Sequence, residues 1–437
     1  MWCGVLAAAG PTLERMTFPS GIPIDELDPG IRPQDDLFRH VNGRWLARTT
    51  IPPDRARHSA FRILADQAEN AVREIVEEAV SAPEGSEARK FGDVYASFMD
   101  ADRAELLGCQ PIGQTLASAR AVSSIPELLE TLGRLERLGI GGLYRLFVDT
   151  DPGNPERYVV VFEQAALSLP DESYYREERF AGVRDAFAGH VQRMFELAGL
   201  PDADRAARRV FALETAVAGH HWDSVASRDR EKTYNLFTWT GVLSEGPDLR
   251  GWLATLDPPA GAFDEIVLRQ PSFSAGLASL LTGEHVLAWR DWLCWRVIHS
   301  AAGYLSEAFV QEDFDFYGRI LSGTPQLRER WKRGVSLVQW AMGEAVGRAY
   351  VGRHFPPGTR ERMDVLVATS SRPTGRASAS LNGWGQAPAG GPWTSSESSR
   401  RRSAIRIDGG TTPASGSTRR ISWPTCGRLM LSSSAAN

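Results

Sequence analysis

The sequence predicts a mainly α protein: a large multi-helix lobe with one small β-hairpin element, followed by a disordered C-terminal tail. Three observations carry this. Apolar residues recur at spacings of three and four through most of the stretch before Ala368. A single pair of β-branched and aromatic runs flanks a Pro-Gly-Asn turn. Beyond Ala368 the chain turns to Ser, Arg, Gly, Thr and Pro, with no lysine at all.

The opening segment ends at Ile51-Pro52-Pro53-Asp54. Within it Asp35 and Asp36 precede an apolar stretch. Carboxylates stabilise a helix N-terminus, so the two are expected to cap or brace a first helix rather than to act as paired acids. From Phe61 to Val80 the residues Leu64, Ala68, Ala71, Val72, Ile75 and Ala79 follow a helical period, and Pro83 ends it. Phe91, Val94, Tyr95 and Phe98 mark a second helix. Tyr144 to Asp149 and Tyr158 to Phe162 read as strands joined by a turn of several residues, Asp151 to Pro155. Val183, Phe187, Val191, Met194 and Phe195 mark the next helix, closed by Gly199 and Pro201. Ala206, Val210, Leu213, Ala216 and Val217 mark another. Trp-rich helices follow at 285–306 and 328–351, where Trp289, Trp292, Trp295 and Trp331 are expected to be core aromatics.

Composition narrows the function. The 437 residues are 42% hydrophobic and 24% charged, in the range of ordinary globular proteins. The net charge of −5 is uneven: nine Arg against Glu397 and Asp408 in the tail leave −12 on the remainder. A mildly acidic body argues against nucleic acid as a partner. No apolar run is long enough to span a membrane, so no membrane partner is expected. Cys3, Cys109, Cys294 and Cys426 lie far apart without a C-x-x-C pair, which suits a reducing, cytoplasmic location. Gly139 to Gly142 lack the strand-loop-helix context of a phosphate site, and no Gly-x-Ser-x-Gly elbow occurs.

Several blocks together are specific. Arg32-Pro-Gln-Asp-Asp-Leu-Phe-Arg-His-Val-Asn-Gly-Arg-Trp-Leu46 opens the series. Ser59-Ala-Phe-Arg-Ile-Leu64, Tyr95-Ala-Ser-Phe-Met-Asp100 and Leu169-Pro-Asp-Glu-Ser-Tyr-Tyr175 follow in order. Arg228-Asp-Arg-Glu-Lys-Thr-Tyr-Asn235, Phe314-Asp-Phe-Tyr-Gly318 and Arg330-Trp-Lys-Arg333 complete it. This series resembles the front half of the neprilysin and endothelin-converting-enzyme family of zinc metallopeptidases. The resemblance implies a helical lobe that caps a thermolysin-like catalytic lobe, and hydrolysis of short peptides in the chamber between them. It implies zinc in complete members, held by H-E-x-x-H and a later Glu, with the intervening Glu taking a proton from the metal-bound water.

None of the eight histidines begins H-E-x-x-H or H-x-x-E-H. No catalytic residue and no metal ligand is therefore assigned in this chain, and no cofactor is expected in it. His220-His221 is the densest His cluster, but neighbouring side chains on a helix diverge by about 100° and chelate poorly. A surface or interface role is expected there rather than a metal site. The resemblance carries over one substrate-side residue, Arg57, which matches a family Arg that contacts the end of the peptide. The other reading of Arg57 is a solvated charge at a helix start. A second family Arg, eight positions on, is Ala65 here.

The expected organisation is a non-native extension over 1–15, the peptidase-like helical region over 16–368, and a tail over 369–437. Pro373 and its polar neighbours are expected to stop the last helix. The tail has the Arg, Ala, Gly, Ser and Pro mixture that a GC-rich gene yields in a shifted frame, so a frameshift near codon 368 is expected. On this reading the chain is a neprilysin-like peptidase truncated before its zinc motif and inactive alone, with an exposed apolar patch that favours association. The competing expectations are a non-catalytic helical module that binds peptides or a partner, and one half of a split peptidase whose catalytic-lobe fragment is supplied separately.

Overall fold

The structure, a computed structural model, describes residues 24–380. Both the expected extension over 1–15 and the tail beyond Ser380 lie outside those residues. The chain divides into two units, Met1–His58 and Ser59–Asn437.

In the first unit, helix α1 (Leu37–Arg48) starts at Asp36, whose side chain accepts from the Arg39 N–H at 2.9 Å. Asp35 instead binds the Arg32 guanidinium at 2.6 Å. Asp36 thus caps the helix, while Asp35 pairs with a residue that precedes it. His40 reaches back along the chain, its Nδ1 donating to the Ile31 carbonyl at 2.6 Å.

The second unit opens with α2 (Ala60–Ala79) and α3 (Glu87–Met99), capped by the hydroxyls of Ser59 and Ser86. Val72, Ile75 and Val76 of α2 and Phe91 and Tyr95 of α3 bury against Val335 and Val338 of a later helix. That cluster is one of two helical cores. The other includes α4 (Ile125–Arg137), whose Leu128, Leu129, Leu132 and Leu135 are all buried.

The expected hairpin is present as β1 (Tyr144–Asp151) and β2 (Asn154–Gln164), in antiparallel register with Val148 opposite Val160. Its turn is tighter than the sequence suggested, because Asp151 pairs directly with Asn154. The Asp151 carboxylate holds it, accepting from the Gly153 N–H at 2.8 Å and from Arg157 Nε at 2.7 Å. After α5 (Ala181–Leu197) and α6 (Ala203–Ala218) come two short strands, β3 (Leu236–Thr238) and β4 (Glu265–Leu268). They extend the hairpin into a four-stranded mixed sheet of order β1-β2-β4-β3. β4 runs parallel to β2, with Ile266 beside Val160, and antiparallel to β3.

The large core closes on α7 (Val286–Ala301), whose Trp289, Trp292 and Trp295 are completely buried. Trp295 meets Phe187 of α5 edge to face at 6.0 Å, an arrangement favoured by the ring quadrupoles. Trp331 is only partly buried, against the smaller core. Helix α8 (Glu307–Asp313) passes into a π-helical run, Phe314–Leu321. Then come α9 (Arg330–His354), kinked at Met342, and α10 (Thr359–Ser380). Here the sequence expectation is corrected: the backbone stays helical through Pro373 to Ser380. Proline's fixed φ lies within the helical range, so the residue costs a hydrogen bond without dictating a stop. Among the described residues no helix is long and apolar enough to cross a membrane.

Candidate functional site

Arg57, the one substrate-side residue assigned from sequence, is exposed in the segment between α1 and α2. Ala65, where the family has its second Arg, is exposed on α2. The first turns of α2 also hold large apolar side chains in water: Phe61 is 86% and Leu64 61% exposed. Leu64 is therefore not part of the buried stripe its spacing suggested. The stripe becomes buried only from Val72 onward, where α3 and α9 cover it.

His220 and His221 follow α6 in a turn rather than sitting on a helix. His221 is a packing residue. Its Nε2–H donates to the Ala165 carbonyl at 2.8 Å, and its ring meets Phe273 edge to face. Burial drives its pKa down to about 4, so the ring is neutral at physiological pH. Among the described residues no three His, Cys, Asp or Glu side chains come together to hold a metal ion. The described residues thus offer no ligand set for a zinc ion.

What the structure adds is a polar hub inside the large core. Glu214 of α6 is fully buried, and its carboxylate faces four donors. They are the Tyr175 hydroxyl at 2.6 Å, the Ser168 hydroxyl at 2.7 Å, the Ser168 N–H at 3.1 Å and Trp292 Nε1 at 3.0 Å. Trp295 Nε1 in turn donates to the Ser168 hydroxyl at 2.7 Å. Burial raises the Glu214 pKa, and the hydrogen bonds from Tyr175 and Ser168 oppose it. Tyr175 is held well above its usual value by burial and by the Glu214 charge. The Leu169–Tyr175 block is thereby explained as structure: its tyrosine closes the Ser168 loop onto α6. Sequence reasoning missed Glu214, although a signal was there. It stands one residue after Leu213 and three before Val217, on the buried side of an otherwise apolar helix.

Comparison with known proteins places this architecture. The family model of the N-terminal region of peptidase family M13 matches residues 33–369. Endothelin-converting enzyme-like 1 of Mus musculus is 24% identical over 361 residues, covering 78% of this chain and 46% of its own. Neprilysin of Mus musculus is 23% identical over 392 residues, covering 79% and 50%. The chain spans about half the length of these curated relatives. Among solved structures, the zinc metalloprotease Zmp1 of Mycobacterium tuberculosis, in complex with an inhibitor, is 44% identical with a TM-score of 0.78. That match covers 83% of this chain and 56% of the other.

A helical body of this kind, sharing fold and sequence with these enzymes, is the N-terminal region of a zinc metallopeptidase. The chain belongs to peptidase family M13.

Proposed function

We propose that this chain supplies the helical lobe of a neprilysin-like zinc metalloendopeptidase acting on short peptides, and that the 437-residue polypeptide hydrolyses none on its own. The first part rests on the match of residues 33–369 to the family's N-terminal region and on the likeness to Zmp1. For the peptide contact it rests on Arg57, whose exposed guanidinium suits a peptide carboxylate. The second part rests on sequence: eight histidines, none in H-E-x-x-H. The free thiols of Cys109 and Cys294 support a cytoplasmic setting.

The test uses the purified chain with added zinc and a set of fluorescent short peptides. Binding by anisotropy is expected, weakened about tenfold by Arg57→Ala, the scale of one charge-assisted hydrogen bond. Hydrolysis is expected at the buffer rate. Chelator-sensitive cleavage would overturn the inactivity. Peptide affinity unchanged by Arg57→Ala would overturn the contact.

A further inference from the structure

The sheet ends on β1, and among the described residues no strand lies beside its outer edge. Which backbone groups point there follows from the pairing on the other side of β2. The Phe162 carbonyl accepts from the Arg269 N–H at 2.9 Å, and the Gln164 N–H donates to the Gln270 side chain at 3.0 Å. Both groups point away from β1. Successive residues of a strand alternate, so Val159, Val161 and Glu163 turn toward β1 and bond Asp149, Phe147 and Arg145. Leu146 and Val148 therefore aim their N–H and C=O groups outward. Among the described residues no backbone group outside the hairpin bonds them. The Thr150 N–H, on the same row, is taken by Asp149 Oδ1 at 2.7 Å, which closes the row at that end.

The side chains along this edge carry opposite charges. Arg145 and Asp149 are exposed and lie on one face of the sheet with Phe147 between them, because strand side chains alternate. The Arg145 guanidinium sits over the Phe147 ring at 5.2 Å and also binds Glu163 across the hairpin. Among the described residues Asp149 bonds only the Thr150 N–H, through one of its oxygens. Its second oxygen is left for a cation.

We propose that β1 is a self-pairing edge: a second copy of this chain adds its own β1 antiparallel, across a symmetry axis at Phe147. In that register Leu146 faces the second copy's Val148, and each such pair exchanges the N–H···O bonds that the edge leaves unmade. Arg145 then stands opposite the second copy's Asp149, and Phe147 opposite its own counterpart. Both pairs fall at the closer, non-hydrogen-bonded positions where side chains meet. Centring the pairing on Arg145 or on Asp149 would set like charges together, so the charges select the register. Charged residues on an exposed edge ordinarily repel another strand. Here their placement on either side of Phe147 makes them complementary to an identical one. The contact is small, so the dimer is weak and forms with rising concentration.

The experiment is sedimentation velocity of the full chain, of Asp149→Arg, of Arg145→Glu and of an equimolar mixture of the two variants. Each variant alone sets like charges opposite one another and is expected to stay monomeric where the native chain forms dimers. The mixture restores both opposite-charge pairs and is expected to recover the dimer. Native-strength dimers in either variant alone, or a mixture of folded variants that stays monomeric, overturn the proposal. Hydrogen exchange of the native chain on peptides covering 144–151 decides the matter independently of how the variants fold. Between about 1 and about 100 μM chain, exchange of the outward amides is expected to slow about threefold. Rates that do not change with concentration overturn the proposal; protection already complete at the lowest concentration would place a segment of the same chain on the edge instead.

Discussion

Tyr175 donates a 2.6 Å hydrogen bond to Glu214 inside the core, joining residues 39 apart in sequence. The same carboxylate also satisfies Ser168 and Trp292, so three stretches of chain depend on one side chain. Removing it strands several buried donors at once, each costing about 1–3 kcal/mol. Glu214→Ala is expected to lower the unfolding free energy by about 3–5 kcal/mol. Tyr175→Phe removes one donor and leaves the carboxylate two hydroxyl-or-indole partners, so about 1–3 kcal/mol is expected. Urea titration of the two variants checks both values.

Helices α2 and α3 touch at Gly92. A Cβ there would lie 2.4 Å from the carbonyl carbon and oxygen of Ala79. Backbone cannot swing aside as a side-chain tip does, so Gly92→Ala must part the helices. A loss of about 1–3 kcal/mol is expected. Gly113, at the start of a short helix, has nothing within 4 Å of the same position. Gly113→Ala is expected to be neutral or to gain up to about 1 kcal/mol from helix propensity. Thermal melts of the pair give opposite signs if the close approach is real.

Glu136 accepts from Trp252 Nε1 at 2.9 Å beneath α4. Burial lifts its pKa to about 8, with the indole hydrogen bond pulling the other way. The native chain therefore keeps this proton at neutral pH, whereas the unfolded chain has lost it. Stability from this group is complete below about pH 4.5 and is lost as pH rises through about 8. The slope between those values is at most about 1.4 kcal/mol per pH unit. Glu136→Gln cannot titrate, so its stability relative to the native chain should climb between about pH 5 and about pH 8. Chemical denaturation at those two pH values measures the difference; equal offsets at both would contradict it.

The helices were legible because their apolar stripes bury whole turns. Phe187, Val191, Met194 and Phe195 of α5 are all fully buried, as their spacing required. Asp36 was legible too, since capping depends only on local sequence. Strands β3 and β4 were not. Three and four residues are too few to show a period of two, and β4 finds its partner on β2 far back in the chain. Leu64 misled because spacing reports which face a residue occupies, not whether anything covers that face. The hub at Glu214 was hidden for a related reason: its donors come from Ser168, Tyr175 and Trp292, which no local pattern brings together. Arg57 was placed by family likeness alone, and its exposure agrees with either of the roles weighed for it.

The parallel pairing of Val160 with Ile266 has a consequence for synthesis. β2 emerges from the ribosome 106 residues before the strand that completes its inner edge. At roughly 5–20 residues per second, that edge waits on the order of 5–20 s. Throughout that delay each nascent copy presents Val160, Val161 and Phe162 as an open template to its neighbours on the same polysome. The timing of translation, as much as the finished sheet, sets how much of this polypeptide escapes aggregation.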